Sequence, residues 1–514
     1  MGEKSSNKII VKNTIMLYFR MMITMFVSLY TSRVILQTLG VTDYGIYQAV
    51  GGIVGFMTFI NGALATGSSR FLTFELGSGN FEKLKRTFST TLTIHFVLAV
   101  VIAIVGETVG LWFLHNKLEI PFERFDSAIF CFHLSIVAAA ISIIQVPYNA
   151  TIISHEKMNI YAYVSIVEVL AKLGIVYVLK IGSFDKLKLY ALLLLVINAA
   201  LQLFYCIYCS KKFKEARFRF AFDKVLFKDI GKFSGWSLFA QGAIALNSQG
   251  ILIVLNMFFS PVVVASRAIS LQVNGVINQF VNNFRVAVNP QITKRFAQGD
   301  FDGSKNLLLE STKYSYYLIF VLSLPIFFTA DKLLKLWLGV VPEYAVIFLQ
   351  LIVVQNLFTI FDTSLYQALY AKGRIKENAL ISPTVGFIRF PLACLLFKLG
   401  FSPVSFSYIC LGSYFLLGCV IKPILLVKIA NYHWRDFLRV YPNCLKISLL
   451  SLPLPIIFYV YIYDMINIEF ISVIAQAFIS LLSSTIVIWF CGLDRNSRNM
   501  VVGLIKKKVF KKAA

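Results

Sequence analysis

Six polar residues repeat along one apolar stretch, from Val262 to Pro290: Arg267, Asn274, Asn278, Asn282, Arg285 and Asn289. On an α-helix they fall within a sector of about 80°. The flanking sequence reads as membrane span on both sides. A central arginine costs about 2.5–3.5 kcal/mol to insert into a bilayer, so two on one face need water, protein or an anion opposite them. The face either lines a hydrophilic cavity or forms a polar seam satisfied by neighbouring helices; we expect the cavity.

Other charges lie in apolar segments. Arg20 shares a face with Asn13, Thr24 and Thr31 in the first span. Glu168 and Lys172 in the fifth stand in the favourable i,i+4 order, so either they neutralise each other or Lys172 faces the cavity and Glu168 tunes it. Asp362 follows Gln355 and Asn356 in the tenth span and is placed to bind a coupling cation, H+ or Na+, or to pair with an arginine. Arg389 stands between Pro383 and Pro391, whose rings free backbone carbonyls. Six basic residues inside spans (Arg20, Arg33, Lys172, Arg267, Arg285, Arg389) face three acids, Glu107, Glu168 and Asp362. That balance favours an anionic ligand. Arginine suits phosphate because its planar fork stays charged and donates two parallel hydrogen bonds. Asn, Gln and Tyr suit sugar hydroxyls. Together they fit a ligand carrying phosphate and sugar.

The elements that must hold these residues are membrane helices. The chain has 514 residues, 58% of them hydrophobic and 14% charged, with a mean hydropathy of +0.74. Apolar runs of about 20 residues recur throughout. The expected fold is all-α and polytopic, with about fourteen spans. They include 14–36, 160–180, 262–290, 344–370 and 378–397, and a final pair at 446–463 and 469–490. The net charge of +24 is not a nucleic-acid signature here, since 35 of the 49 Lys and Arg fall in segments that are internal if the N-terminus is inside. Eight lie in external loops. The positive-inside rule then puts both termini in the cytoplasm. No cleavable signal is expected, and the myristoylation-like Met1–Ser6 carries no weight.

A weak repeat recurs at an offset near 219 residues. Gly79-Asn80-Phe81-Glu82 matches Gly299-Asp300-Phe301-Asp302, Tyr148 and Ala150 match Tyr366 and Ala368, and Lys157 and Asn159 match Lys376 and Asn378. This predicts two parallel six-helix lobes, 1–210 and 232–430, joined by a basic cytoplasmic linker, 211–231. Residues 431–514 follow as spans thirteen and fourteen with a basic tail. Gly51 and Gly55 form a GxxxG step, read as close helix packing. Cys206 and Cys209 match CxxC but end a membrane helix with no second pair, so no metal is expected. There is no HExxH, GxSxG or P-loop, and external loops reach only about a dozen residues. A catalytic role, such as a membrane glycan polymerase, is therefore not expected.

The N-terminal stretch Asn13–Phe81 resembles the bacterial polysaccharide (O-antigen) flippases of the multidrug/oligosaccharidyl-lipid/polysaccharide (MOP) exporter superfamily. The likeness rests on the Arg33 region, the Gly40-Val41-Thr42-Asp43-Tyr44-Gly45 turn and the Phe74-Glu75-Leu76-Gly77 loop. It implies two lobes around a central cavity, alternating access, and a polyprenyl-pyrophosphate-linked oligosaccharide as cargo, without a cofactor. It also implies that cavity arginines in spans one and eight correspond to Arg20 and Arg285, with Arg267 as a further candidate. Spans thirteen and fourteen would form a groove for the lipid tail. The expected setting is the bacterial plasma membrane, beside glycosyltransferases and a polysaccharide polymerase. An ion-coupled drug antiporter of the same superfamily is the alternative, and acids in the cavity would favour it.

Overall fold

The computed structural model describes residues 22–495 apart from 58, 156, 182–183, 218–222, 229–241 and 243–244, together with 498–499. Every regular element among the described residues is a helix. Hydrocarbon offers no partner for a backbone N–H or C=O, and a helix satisfies nearly all of them internally. Ten of the described helices are long and apolar enough to cross a membrane. The first part of the seventh expected span, 232–258, lies outside the described residues, as does part of the basic segment 211–231. The chain forms two compact units, residues 1–268 and 269–514.

Unit 1 contains α1 (Met22–Leu39), α2 (Val41–Met57), α3 (Phe59–Ser78), α4 (Phe81–Lys117) and α5 (Phe125–Ser154). It continues with α6 (Met158–Val178), α7 (Lys186–Lys212) and α8 (Ile251–Phe258). Helix α5 is its axis, packing against α2, α3, α4 and α7. One apolar cluster gathers Ile46, Val50, Leu114 and Phe132 near its start, and another gathers Phe88, Tyr148, Ile152 and Tyr205 near its end. The CxxC cysteines belong to this packing, since the thiols of Cys206 and Cys209 lie 3.5 Å from the Tyr148 hydroxyl and 3.6 Å from its carbonyl oxygen. Gly55 of the GxxxG step does sit at a close approach, where an added Cβ would come 3.2 Å from the Gln249 side chain.

Helix α9 (Pro261–Ala297) starts in unit 1 and continues through unit 2 as one helix of 37 residues. Unit 2 then holds α10 (Phe301–Leu338), α11 (Ala345–Ala371), α12 (Ile375–Lys398) and α13 (Ser405–Ala430). It ends with the short α14 (Trp434–Leu438), α15 (Tyr441–Ser451), α16 (Pro453–Tyr461) and α17 (Glu469–Val487). Here α11 is the axis, packed on α10 and α13. The repeated motif folds alike in both units. Gly79 and Gly299 both adopt positive φ, 71° and 81°. The next residues, Asn80 and Asp300, each cap the following helix by accepting a backbone N–H from the residue three positions on.

The thirteenth expected span is two helices broken at Leu452, because Pro453 and Pro455 cannot continue the hydrogen-bond ladder. Helix α17 repairs the break: Ser483 donates to the Ser451 carbonyl at 2.9 Å and Gln476 to that of Pro455 at 3.1 Å. The hairpin before α17 is tied to α10 through Lys332. Its ammonium donates to the Tyr463 carbonyl at 2.9 Å, stands 3.8 Å over the Tyr463 ring and pairs with Asp464 at 2.9 Å.

Candidate functional site

Within unit 2 the polar face of α9 meets α11. Asn278 Nδ2 donates to Asn356 Oδ1 at 3.3 Å, Arg285 donates to the Thr363 carbonyl, and Gln367 donates to the Asn289 carbonyl at 3.3 Å. Each pair is separated by the same 78 residues. A constant offset over three turns means the two helices run side by side in the same direction. That is what an even number of steps between the eighth and tenth spans requires. Asn278 also donates to the backbone and side-chain oxygens of Asn274, at 2.9 and 2.8 Å. The face is therefore in part a seam to α11. It is not wholly consumed by it, since Asn282 is exposed and Arg285 remains half-buried with its Nε unengaged. Arg267, on the part of α9 that belongs to unit 1, is buried, at 3% exposure.

Beside this seam stands a further charged residue, Lys422, which sequence periodicity does not single out. Lys422 is not one of the six basic residues assigned to spans from the sequence and falls among the 35 internal ones, yet it is only 1% exposed. Its ammonium lies 3.0 Å from Asp362 Oδ1 and 3.2 Å from Ser382 Oγ. Asp362, expected to hold a cation or pair with an arginine, is thus paired with a lysine. Arg285 lies within Coulombic reach of the same carboxylate. The signal was available, because Lys422 is flanked by Val420-Ile421 and Pro423-Ile424-Leu425 inside an apolar run.

The other candidate residues that the structure describes have partners of their own. Glu168 and Lys172 pair at 2.6 Å on α6, the self-neutralising alternative. Arg389 is buried with its guanidinium 4.1 Å above the Tyr414 ring, a stacked cation. Glu107 pairs with His133 at 2.7 Å, both partly exposed. Arg20 lies outside the described residues. Among the described residues, no three His, Cys, Asp or Glu side chains are placed to hold a metal.

The Gly40–Gly45 motif has a structural explanation. Gly40 ends α1 at φ 82°, and Tyr44 is buried. Asp43 takes a two-pronged bond from Arg124, Nε to Oδ1 at 2.7 Å and Nη2 to Oδ2 at 2.5 Å. Arg124 also binds Asp185, the cap of α7, at 2.8 Å, and Ser127 donates to Asp185 at 2.7 Å. Burial pushes the Asp185 carboxyl up, but the bonds from Arg124, Ser127 and the Lys188 N–H, with the arginine charge, hold it down at about 2 against the usual 3.8. A depressed carboxyl stabilises the fold above its unfolded value and loses that contribution as pH falls toward about 2. After discounting for partial exposure, about 1–2 kcal/mol is at stake. We expect the melting temperature in detergent to drop from pH 5 to pH 3, and Asp185→Asn to be less stable at pH 7 and to flatten that acid limb. An equal acid slope in wild type and variant would remove Asp185 from this role.

Neither a scan against protein-family models nor a search of curated proteins found a match. Solved structures do match. An inward-facing MATE-family multidrug resistance transporter of the MOP superfamily aligns with a TM-score of 0.65 at 14% identity, covering 80% of this chain and 98% of its own. The lipid II flippase MurJ, in an inward closed conformation, aligns with a TM-score of 0.68 at 12% identity, covering 93% of this chain and 98% of its own. A MOP-superfamily transporter from Pyrococcus furiosus, described as having a binding pocket of reversed polarity, aligns at 0.52 and 14% identity, covering 81% and 96%. The fold is therefore that of the MOP-superfamily transporters, polytopic helical membrane proteins. At these identities the likeness defines that class of fold and stops short of a particular transporter.

Proposed function

We propose that this chain is a flippase that moves a polyprenyl-pyrophosphate-linked oligosaccharide from the cytoplasmic to the outer leaflet of a bacterial plasma membrane. It does so by alternating access, in the synthesis of a surface polysaccharide. The observation that carries this reading is the charge balance beside the α9–α11 seam. Two cations, Arg285 and Lys422, attend one carboxylate, Asp362, and the half-buried Arg285 retains a free donor. A site with surplus positive charge, amide side chains and an exposed Asn282 suits an anionic, hydroxylated headgroup. In this reading Arg20, Arg267 and Arg285 hold the pyrophosphate, Asn274, Asn278 and Asn282 contact the sugars, and the polyprenyl tail stays in lipid. The cargo comes from glycosyltransferases on the cytoplasmic side and passes to a polymerase outside.

Coverage supports the flippase over the antiporter. The MurJ structure matches 93% of the chain and the MATE structure 80%. The resemblance of Asn13–Phe81 to polysaccharide flippases points the same way. The charge asymmetry of the loops supports cytoplasmic termini. A drug antiporter calls for an acid free to take a proton or cationic drug, whereas Asp362 is paired.

The test is reconstitution. Proteoliposomes carrying a radiolabelled polyprenyl-pyrophosphate oligosaccharide in both leaflets are exposed to an external glycan-cleaving enzyme. Without the protein only the outer half is cleaved; with it, cleavage should approach completion. Cleavage stalled at half, alongside active transport of a cationic dye, would replace this reading with the antiporter.

A further inference from the structure

Asp362 and Lys422 lie in the membrane-embedded part of unit 2, and the chain takes trouble to bring them together. Lys422 follows the π-turn Leu416–Ile421 inside α13. The extra residue in such a turn rotates everything after it by about 100° relative to an uninterrupted helix. The turn also lets α13 approach α11 closely. A Cβ at Gly418 would come 2.6 Å from the Phe358 carbonyl oxygen and 3.2 Å from the Asp362 backbone nitrogen. Tyr441 donates to the Gly418 carbonyl at 2.7 Å, engaging an oxygen within the turn. The lysine that results has its ammonium 3.0 Å from Asp362 Oδ1, 3.2 Å from Ser382 Oγ and 5.7 Å from the Tyr366 ring centroid.

The repeat shows that the frame does not require this pair. Tyr366 corresponds to Tyr148, and at the same offset Asp362 corresponds to Ile144. Where Tyr366 faces Lys422, Tyr148 faces Cys206, the thiol 3.5 Å from its hydroxyl. Ile144 and Cys206 both pack against the same apolar cluster of unit 1. In unit 1 this place is filled by uncharged side chains and a thiol–hydroxyl hydrogen bond, while in the other an acid and a base do so at greater desolvation cost. Charges kept where a hydrophobic pair would serve need a role other than packing.

We propose that Lys422 is a tethered cation: its ammonium permanently occupies the place beside Asp362 that an exchangeable Na+ would otherwise take. An incoming ion would have to displace the lysine from the carboxylate, or join it while also facing the charge of Arg285. In a low-dielectric interior, like charges that close repel strongly. Asp362 is thereby held in position, and the unit carries its counter-charge through the transport cycle without taking one from solution. The proposal does not rest on the identity of the cargo and holds for a flippase or an antiporter alike.

The experiment reads ion binding directly, apart from any transport assay. Purified full-length protein in detergent is titrated with radioactive 22Na+ in a scintillation proximity assay, with monodispersity checked by gel filtration. Wild type and Lys422→Arg should show no saturable Na+ binding. Lys422→Met should gain saturable binding, and Asp362→Asn added to it should abolish the gain. Saturable binding by wild type that is lost in Asp362→Asn would overturn the proposal, as would a monodisperse Lys422→Met that stays blind to Na+. Should Lys422→Met aggregate, melting of wild type and Asp362→Asn in NaCl against choline chloride decides instead. Equal melting temperatures in the two salts support the tether, and a Na+-specific rise confined to wild type overturns it.

Discussion

Replacing Arg285 by alanine should abolish surface glycan export while leaving the protein expressed and folded. Arg285 donates to the carbonyl of Thr363, inside α11, where the backbone is already helical. Losing it leaves no buried acceptor stranded without its ladder bond. Asp362 keeps Lys422 as a partner, so no buried carboxylate is orphaned either. The cost to the fold is small for that reason, and the cost to an anionic ligand is large. Removing one member of a desolvated charge pair costs about 2–5 kcal/mol, which at the lower bound already lowers transport about thirtyfold. Arg285→Lys should recover part of the activity, since it keeps the charge but loses the fork. The check is glycan staining at the cell surface against the amount of protein in the membrane fraction. Normal export by a well-expressed Arg285→Ala variant would sink the assignment of this face to the ligand.

Gly45→Val should prevent unit 1 from assembling. A Cβ at Gly45 would sit 2.0 Å from the carbonyl oxygen of Pro261 and 2.5 Å from its carbonyl carbon. Both are backbone atoms at the start of α9, so no rotamer change relieves the overlap. The start of α2 and the start of α9 would have to separate, undoing packing that includes the buried residues Tyr44, Ile46 and Val264. Overpacking against backbone atoms, which cannot move aside, costs about 3 kcal/mol or more, a large share of a typical total stability of about 5–15 kcal/mol. Fluorescence-detected gel filtration should show aggregate or no monodisperse peak for Gly45→Val, with Gly45→Ala strongly reduced. A monodisperse Gly45→Val of normal thermal stability would show that α2 and α9 do not meet there.

These two expectations divide the sequence signals by kind. The face on α9 was legible because helical periodicity places residues by arithmetic alone, and arginine in an apolar run is costly wherever it faces. The Gly40–Gly45 turn was legible as a resemblance but not as a mechanism. Nothing in the one-letter code says that Asp43 will meet Arg124, 81 residues on, or that Gly45 will meet a backbone carbonyl at Pro261. Lys422 was misplaced for a related reason. A lysine near the expected end of a span reads as a loop residue, and only the π-turn and the approach of α11 turn it toward Asp362.

The sequence by itself determined the class of protein. Hydropathy, span length and the lopsided distribution of Lys and Arg are properties of local segments in a bilayer, and local segments are what a sequence displays. It also determined which helix carries the polar face, and the repeated capping motif. Only the tertiary structure decided what those charges meet. It gave Asp362 to a lysine and kept Glu168 with Lys172. It spent part of the α9 face on a seam to α11 and left Asn282 and half of Arg285 open. The physical reason is that an ion pair is settled within about 4 Å, a distance fixed by the packing of helices far apart in the chain. The periodicity of any one helix does not encode it.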